Sequence, residues 1–227
     1  MDNPLASLKT GWWSFALPGY RDHPKPATYS LFSYEGLPPV EVPSDVNWHW
    51  LESQPPHERW SLAANGYPDG SKPDLSQLHR LIAQAGFRLP LHFTTFMDSP
   101  SLHARIRSCT ACLLELSDFL VPTSAPPAGL MIQFLVDQQG CLRWYLFADA
   151  LGNHCVLASP EVYGLAYHPD QAPIGELDLF HEDIWVCAQS FGQFIYRFWL
   201  ENEIWFGLAE GRQPATKLQR DYLSHYT

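Results

Sequence analysis

Cationic residues are scarce in this chain: 14 Lys and Arg stand against 24 Asp and Glu, a formal net charge of -10 at pH 7. A protein that grips a nucleic-acid backbone needs a basic footprint, so that class of partner is excluded. The same imbalance steers a basic protein towards the surface. No apolar run approaches the roughly 20 residues of a membrane-crossing helix, and the start of the chain lacks a basic segment leading into an unbroken apolar stretch. With five cysteines, an odd number, the thiols are expected to be reduced and the protein cytoplasmic. Also missing are a glycine-rich phosphate loop, a nucleophile elbow, and any pair among the ten histidines at H-x-H or H-x-x-x-H spacing. The expectation is a protein with no metal, no cofactor and no catalytic centre.

What the chain does hold is apolar material for a sizeable core: 227 residues, 46% of them hydrophobic and 14% aromatic. From Leu130 to Pro160 the sequence alternates or runs apolar, cut at Gln138-Gln139-Gly140 and Ala150-Leu151-Gly152-Asn153. This is the pattern of a three-strand antiparallel meander. Ile106 to Leu116 alternates enough for an earlier strand, and Pro122 to Gly129 reads as a loop. A helix is expected from Asp74, with Leu75, Leu78 and Ile82 at helical spacing and Gly86 as its stop; a shorter one follows Pro90, with Phe93 and Phe96 on one face. The last helix opens at Ser190, which forms a capping-box pair with Gln193. It carries Phe191, Phe194 and Phe198 on a broad apolar face and leaves Arg197, Glu201 and Glu203 off its centre.

The fold class is therefore α+β, with a central, mainly antiparallel sheet built on the meander 130–160 and covered by helices near 75–97 and 190–206. Trp144, Tyr145 and Phe147 are expected to form the platform for the last helix. Residues 1–73 hold 11 of the 20 prolines and five of the nine tryptophans. Proline excludes long regular elements there, and the aromatic rings imply anchoring, either as a wrap around the 74–227 unit or on a partner.

Cys109-Thr110-Ala111-Cys112 has the spacing of a zinc or thiol-redox motif. No second ligand pair accompanies it, and the pair falls within an expected strand, so inert buried thiols are the reading. Asp149 and His154 flank one meander turn and supply the alternative of a hydrolase. Charge placement is the stronger signal: between Asp170 and Glu210 eight acidic residues accompany one basic residue, Arg197. Glu176, Asp178, Glu182, Asp183, Glu201 and Glu203, with Phe180 and Trp185 as aromatic anchors, form the candidate partner-binding surface.

The order of helix, Gly86-Phe87-Arg88-Leu89-Pro90, short aromatic helix, strand, meander and Ser190-Phe191-x-x-Phe194 resembles the SUKH superfamily. That family takes in fungal Smi/Knr-type regulators of cell-wall synthesis and many bacterial toxin-immunity proteins. The resemblance covers about Asp74 to Leu208 and rests on Leu89, Pro90, Phe93, Phe96, Ser190, Phe191 and Phe194. Met97-Asp98-Ser99-Pro100 stands where family members often have a glycine-rich turn, and the Trp-rich first 73 residues lie outside the family core. The resemblance implies a non-enzymatic module that neutralises a cognate toxin, a basic nuclease in type, by stoichiometric binding. The alternative is an intracellular scaffold or regulator of cell-wall or signalling proteins.

Overall fold

The computed structural model describes residues 8–22, 28–43, 47–66, 75–117, 120–123, 128–163 and 177–226. Strands β1 (Trp12–Ser14) and β2 (Ser30–Phe32) pair as a small antiparallel ribbon. Helical segments α1 (His49–Glu52), α2 (Leu62–Asn65), α3 (Leu75–Gln84), α4 (Leu91–Met97) and α5 (Pro100–His103) follow. The main sheet comprises β3 (Leu113–Leu114), β4 (Val121–Thr123), β5 (Gly129–Val136), β6 (Arg143–Asp149), β7 (His154–Ser159) and β8 (Trp185–Ala188). Helices α6 (Phe191–Ala209) and α7 (Lys217–Ser224) close the chain. The sheet runs β3-β5-β6-β7-β8, with β4 beside β3 on the same edge of β5, and every strand pair is antiparallel. The α+β arrangement expected from the pattern is the one observed.

The meander forms where its turns allow it. Gly140 and Gly152 take φ of 70° and 88°, values that a side chain disfavours, and so reverse the chain between β5, β6 and β7. Gly86 ends α3 with φ 79°, while its N–H and that of Phe87 reach back to Ala83 and Ile82 carbonyls. The Asp74 cap lies outside the described residues.

Side chains along β6 alternate between two cores. Trp144 and Leu146 face α6, where the Trp144 ring meets Phe194 and Phe198 at 6.0 and 6.1 Å. Tyr145 and Phe147 point the other way, into a second cluster with Leu8, Met131, Tyr163, Leu179 and Ile184. The expected platform of Trp144, Tyr145 and Phe147 is thus split, because Trp144 lies an odd number of residues from the other two and successive strand residues point to opposite faces. One face is covered by helices and the other by Leu8 from the N-terminal segment and by described residues between β7 and β8.

Three local expectations are corrected. Ile106 to Leu116 is a strand only at Leu113–Leu114, because residues 60–62 take up the backbone groups of 106–108, with Leu62 N donating to Ile106 O at 2.9 Å and Ser108 N to Trp60 O at 2.7 Å. Pro122 lies in β4 and not in a loop; it tolerates the edge, where its carbonyl accepts from Leu177 N at 2.9 Å and no outward N–H is required. Ser190 Oγ does accept from Gln193 N at 3.1 Å, but the Gln193 side chain answers Gln189 N, not the cap residue's own.

The N-terminal segment belongs to the same core as the sheet. Trp48 is 1% exposed and packs edge-on to Phe191 at 6.1 Å, and Trp12 meets Phe194 at 5.8 Å. Helix α6 is therefore enclosed on two sides, by the sheet and by described residues of the N-terminal segment, Trp12 and Trp48 among them.

Candidate functional site

The eight residues expected to bind a partner divide once they are placed. Asp178, Phe180, Glu182, Asp183 and Trp185 sit on the loop that leads into β8, and Glu176 lies outside the described residues. Leu177 bridges to Thr123 at one end, and Leu179 and Ile184, each 2% exposed, are driven into the second core. The residues between them must then face out. Phe180 is 47% exposed, and its N–H donates to Asp178 Oδ1 at 2.9 Å. Turns from His181 N to Asp178 O and from Ile184 N to His181 O, both 3.1 Å, fix the path. Trp185 is half-buried beneath Lys9, whose ammonium lies 5.5 Å from the ring centroid.

Sequence reasoning missed a neighbour of this loop. Tyr163 donates towards His181 Nδ1 at 3.4 Å and packs on Tyr145, whose hydroxyl donates to Glu161 O at 3.0 Å. The exposed Glu161 and Val162 thus precede a residue that touches the loop carrying Asp178, Phe180, Glu182 and Asp183. The signal lay in Tyr163, an aromatic two residues after Glu161 in the irregular stretch that follows the meander.

Glu201 and Glu203 do not belong to that surface. Glu201 is 1% exposed and carries five hydrogen bonds, from Trp12 Nε1, Ser14 Oγ, Tyr222 Oη and both terminal nitrogens of Arg21. Burial alone would raise its pKa; the Arg21 guanidinium and the donors overcome this and hold the carboxyl at about 2. Arg197, expected on an exposed face, is 3% exposed and donates to Tyr222 Oη and Pro38 O. Glu203 is gripped by Arg107, Nε to Oε1 at 2.9 Å and Nη2 to Oε2 at 2.6 Å. The expectation failed because polar residues on a helix wheel face water only if nothing else covers them.

The Asp149 carboxylate is committed to its turn, accepting from Leu151 N at 2.9 Å, Asn153 N at 2.8 Å and Asn153 Nδ2 at 2.7 Å. No hydrogen bond joins it to His154, whose pKa is lowered, first by burial. Cys109 and Cys112 lie in a turn, not a strand, with Ala111 at φ 52°. All five cysteines are free, and burial pushes each thiol up, Cys141 and Cys187 to about 12. Among the described residues no group of three or more His, Cys, Asp or Glu is placed to hold a metal ion. No described helix is long and apolar enough to cross a membrane.

Of the N-terminal tryptophans, Trp12 and Trp48 are consumed by the core, whereas Trp60 stands 54% exposed. No protein-family model matches this chain, and neither a curated protein nor a solved structure matches it.

Proposed function

We propose that this protein is a non-catalytic binding module of SUKH-like, immunity type, which neutralises a basic protein, a cognate toxin, by stoichiometric occlusion. One observation carries the reading: Phe180 is presented at 47% exposure between Asp178 and Glu182 on a loop pinned at both ends by Leu179 and Ile184. An exposed aromatic on a fixed backbone loses little entropy on docking, and the acidic groups around it steer a cationic partner and disfavour wrong ones. Glu161, Asp178, Glu182 and Asp183 supply the charge; Phe180, Val162 and the half-buried Trp185 supply the apolar contact. Occlusion of this kind needs no reacting group.

The test begins with affinity capture from the source cells and identification of the bound protein by mass spectrometry. Phe180→Ala is expected to weaken the purified complex by roughly thirtyfold, about 2 kcal/mol, mainly through faster dissociation. Asp178→Asn, Glu182→Gln and Asp183→Asn together should slow association and flatten its salt dependence. A captured partner that binds both variants with wild-type kinetics would remove this surface from consideration.

A further inference from the structure

A second place in the molecule gathers charged groups that docking at the 177–185 loop does not use. A cleft of about 320 Å³ opens between the turn carrying His57, the last turns of α6 and the residues that lead into α7. Its polar lining is His57, Arg107, Glu203, Arg212, Gln213 and Gln219. Two of these are permanent cations and one is an anion; with Glu210, which pairs with Arg212 at the rim, the formal charge around the cleft is zero in a chain of -10. Protonation of His57 would make it +1.

The donors are arranged to leave capacity over. Arg107 spends Nε and Nη2 on Glu203, while its Nη1 lies 3.7 Å from Glu210, beyond hydrogen-bond reach. Its plane is held over the Phe206 ring at 4.2 Å, which fixes the direction of the remaining N–H groups. Gln219 uses its side-chain oxygen on Ala215 N and Thr216 N, and this leaves its NH₂ to donate. Arg212, 60% exposed, pairs with Glu210 at the rim. The His57 wall is rigid, with His57 N bonded to Ala104 O at 2.7 Å and Ser61 Oγ to His57 O at 2.9 Å.

We propose that this cleft binds a small oxyanion, of the phosphate-monoester or polycarboxylate class, between the Arg107 and Arg212 guanidiniums and the Gln213 and Gln219 amides. A guanidinium fork matches either head group, and the cleft's volume suits a small ligand. The charged groups facing His57 are Glu203, 3.5 Å from its Nε2, and Arg107. Burial, the larger influence, lowers the imidazole's pKa, so it is neutral near pH 7. A bound anion favours the protonated form, and affinity for an anion of given charge therefore rises as the pH falls.

The full chain titrated calorimetrically with inorganic phosphate and with citrate, at an ionic strength matched with sodium chloride, is expected to give saturable one-to-one binding for at least one of them. Saturation by phosphate alone assigns the phosphate class, and by citrate alone the carboxylate class. Arg212→Gln, at an exposed position where folding is not at stake, should weaken binding about tenfold. Once the ligand's own titration is subtracted, His57→Gln should remove the remaining gain in affinity between about pH 7.5 and 5.5. Absence of saturable binding by both anions, or an Arg212→Gln protein that binds as tightly as the wild type, overturns the proposal.

Discussion

A carboxylate removed from water stays ionised only when its lone pairs are answered, and Glu201 shows how far this chain goes to do so. Its donors come from β1, from Arg21 after it, and from α7, so a single side chain ties both ends of the chain to α6. Its folded pKa of about 2 lies below the ordinary 4.5. The stability it supplies is therefore complete above about pH 4.5 and is lost as the pH falls towards 2. Glu201→Gln is expected to cost about 3–5 kcal/mol, since it leaves the Arg21 guanidinium buried without its counter-charge. Urea denaturation at neutral pH measures that loss, and the variant's stability should vary less with pH between about 2 and 4.5 than the wild type's. In the sequence Glu201 looks like any polar residue on a helix. Only the aromatics around the whole circumference of α6, among them Tyr196 and Trp199 away from the sheet, hint that this helix has no water-facing side.

At the scale of elements, legibility follows the range of the interactions that create each one. The meander, α3, α4 and the start of α6 were readable because local periodicity and turn glycines specify them. The element β8 was not, since Trp185–Ala188 is too short to show alternation and forms by pairing with β7. Residues β1 and β2 were hidden for the same reason in a proline-rich background. Both sheet edges are closed by such non-local pairing: Val186 exchanges hydrogen bonds with Lys9 and Gly11 beside β8, and Leu177 bonds Pro122 beside β4. Two glycines separate sheet from helix requirements. A Cβ on Gly129 would lie 2.5 Å from Ala148 O and from the Phe147 ring, so Gly129→Ala should destabilise by about 1–3 kcal/mol through displacement of β6. At Gly192 the nearest atom is a His92 ring nitrogen at 3.9 Å, and Gly192→Ala should stabilise α6 by about 0.5–1 kcal/mol. Opposite shifts in the thermal midpoint are the expected signature; equal shifts would contradict the packing assigned to these positions.

For the whole molecule, the boundary near residue 73 separates composition and not structure. Sequence reasoning found the aromatic anchors but left open whether they served the core or a partner, and burial of Trp12, Leu17, Trp48 and Leu51 assigns these to the core. That assignment also explains why Glu201 was misplaced on the candidate acidic surface. The segment that covers Glu201 precedes it by 180 or more residues, a separation at which no local pattern carries information. Without residues 1–73, α6 would expose Phe191 and Phe194 on the side facing Trp48 and Trp12, and Glu201 would lose Arg21, Ser14 and Trp12 at once. A chain of residues 74–227 is therefore expected to lack a cooperative thermal transition and to bind a hydrophobic dye such as ANS. In the full chain, tryptophan fluorescence, to which five tryptophans before residue 74 and four after it contribute, should melt together with far-UV circular dichroism. Two separated transitions, or a 74–227 fragment that unfolds sharply, would mean that residues 74–227 stand alone and that the N-terminal segment is an addition to them.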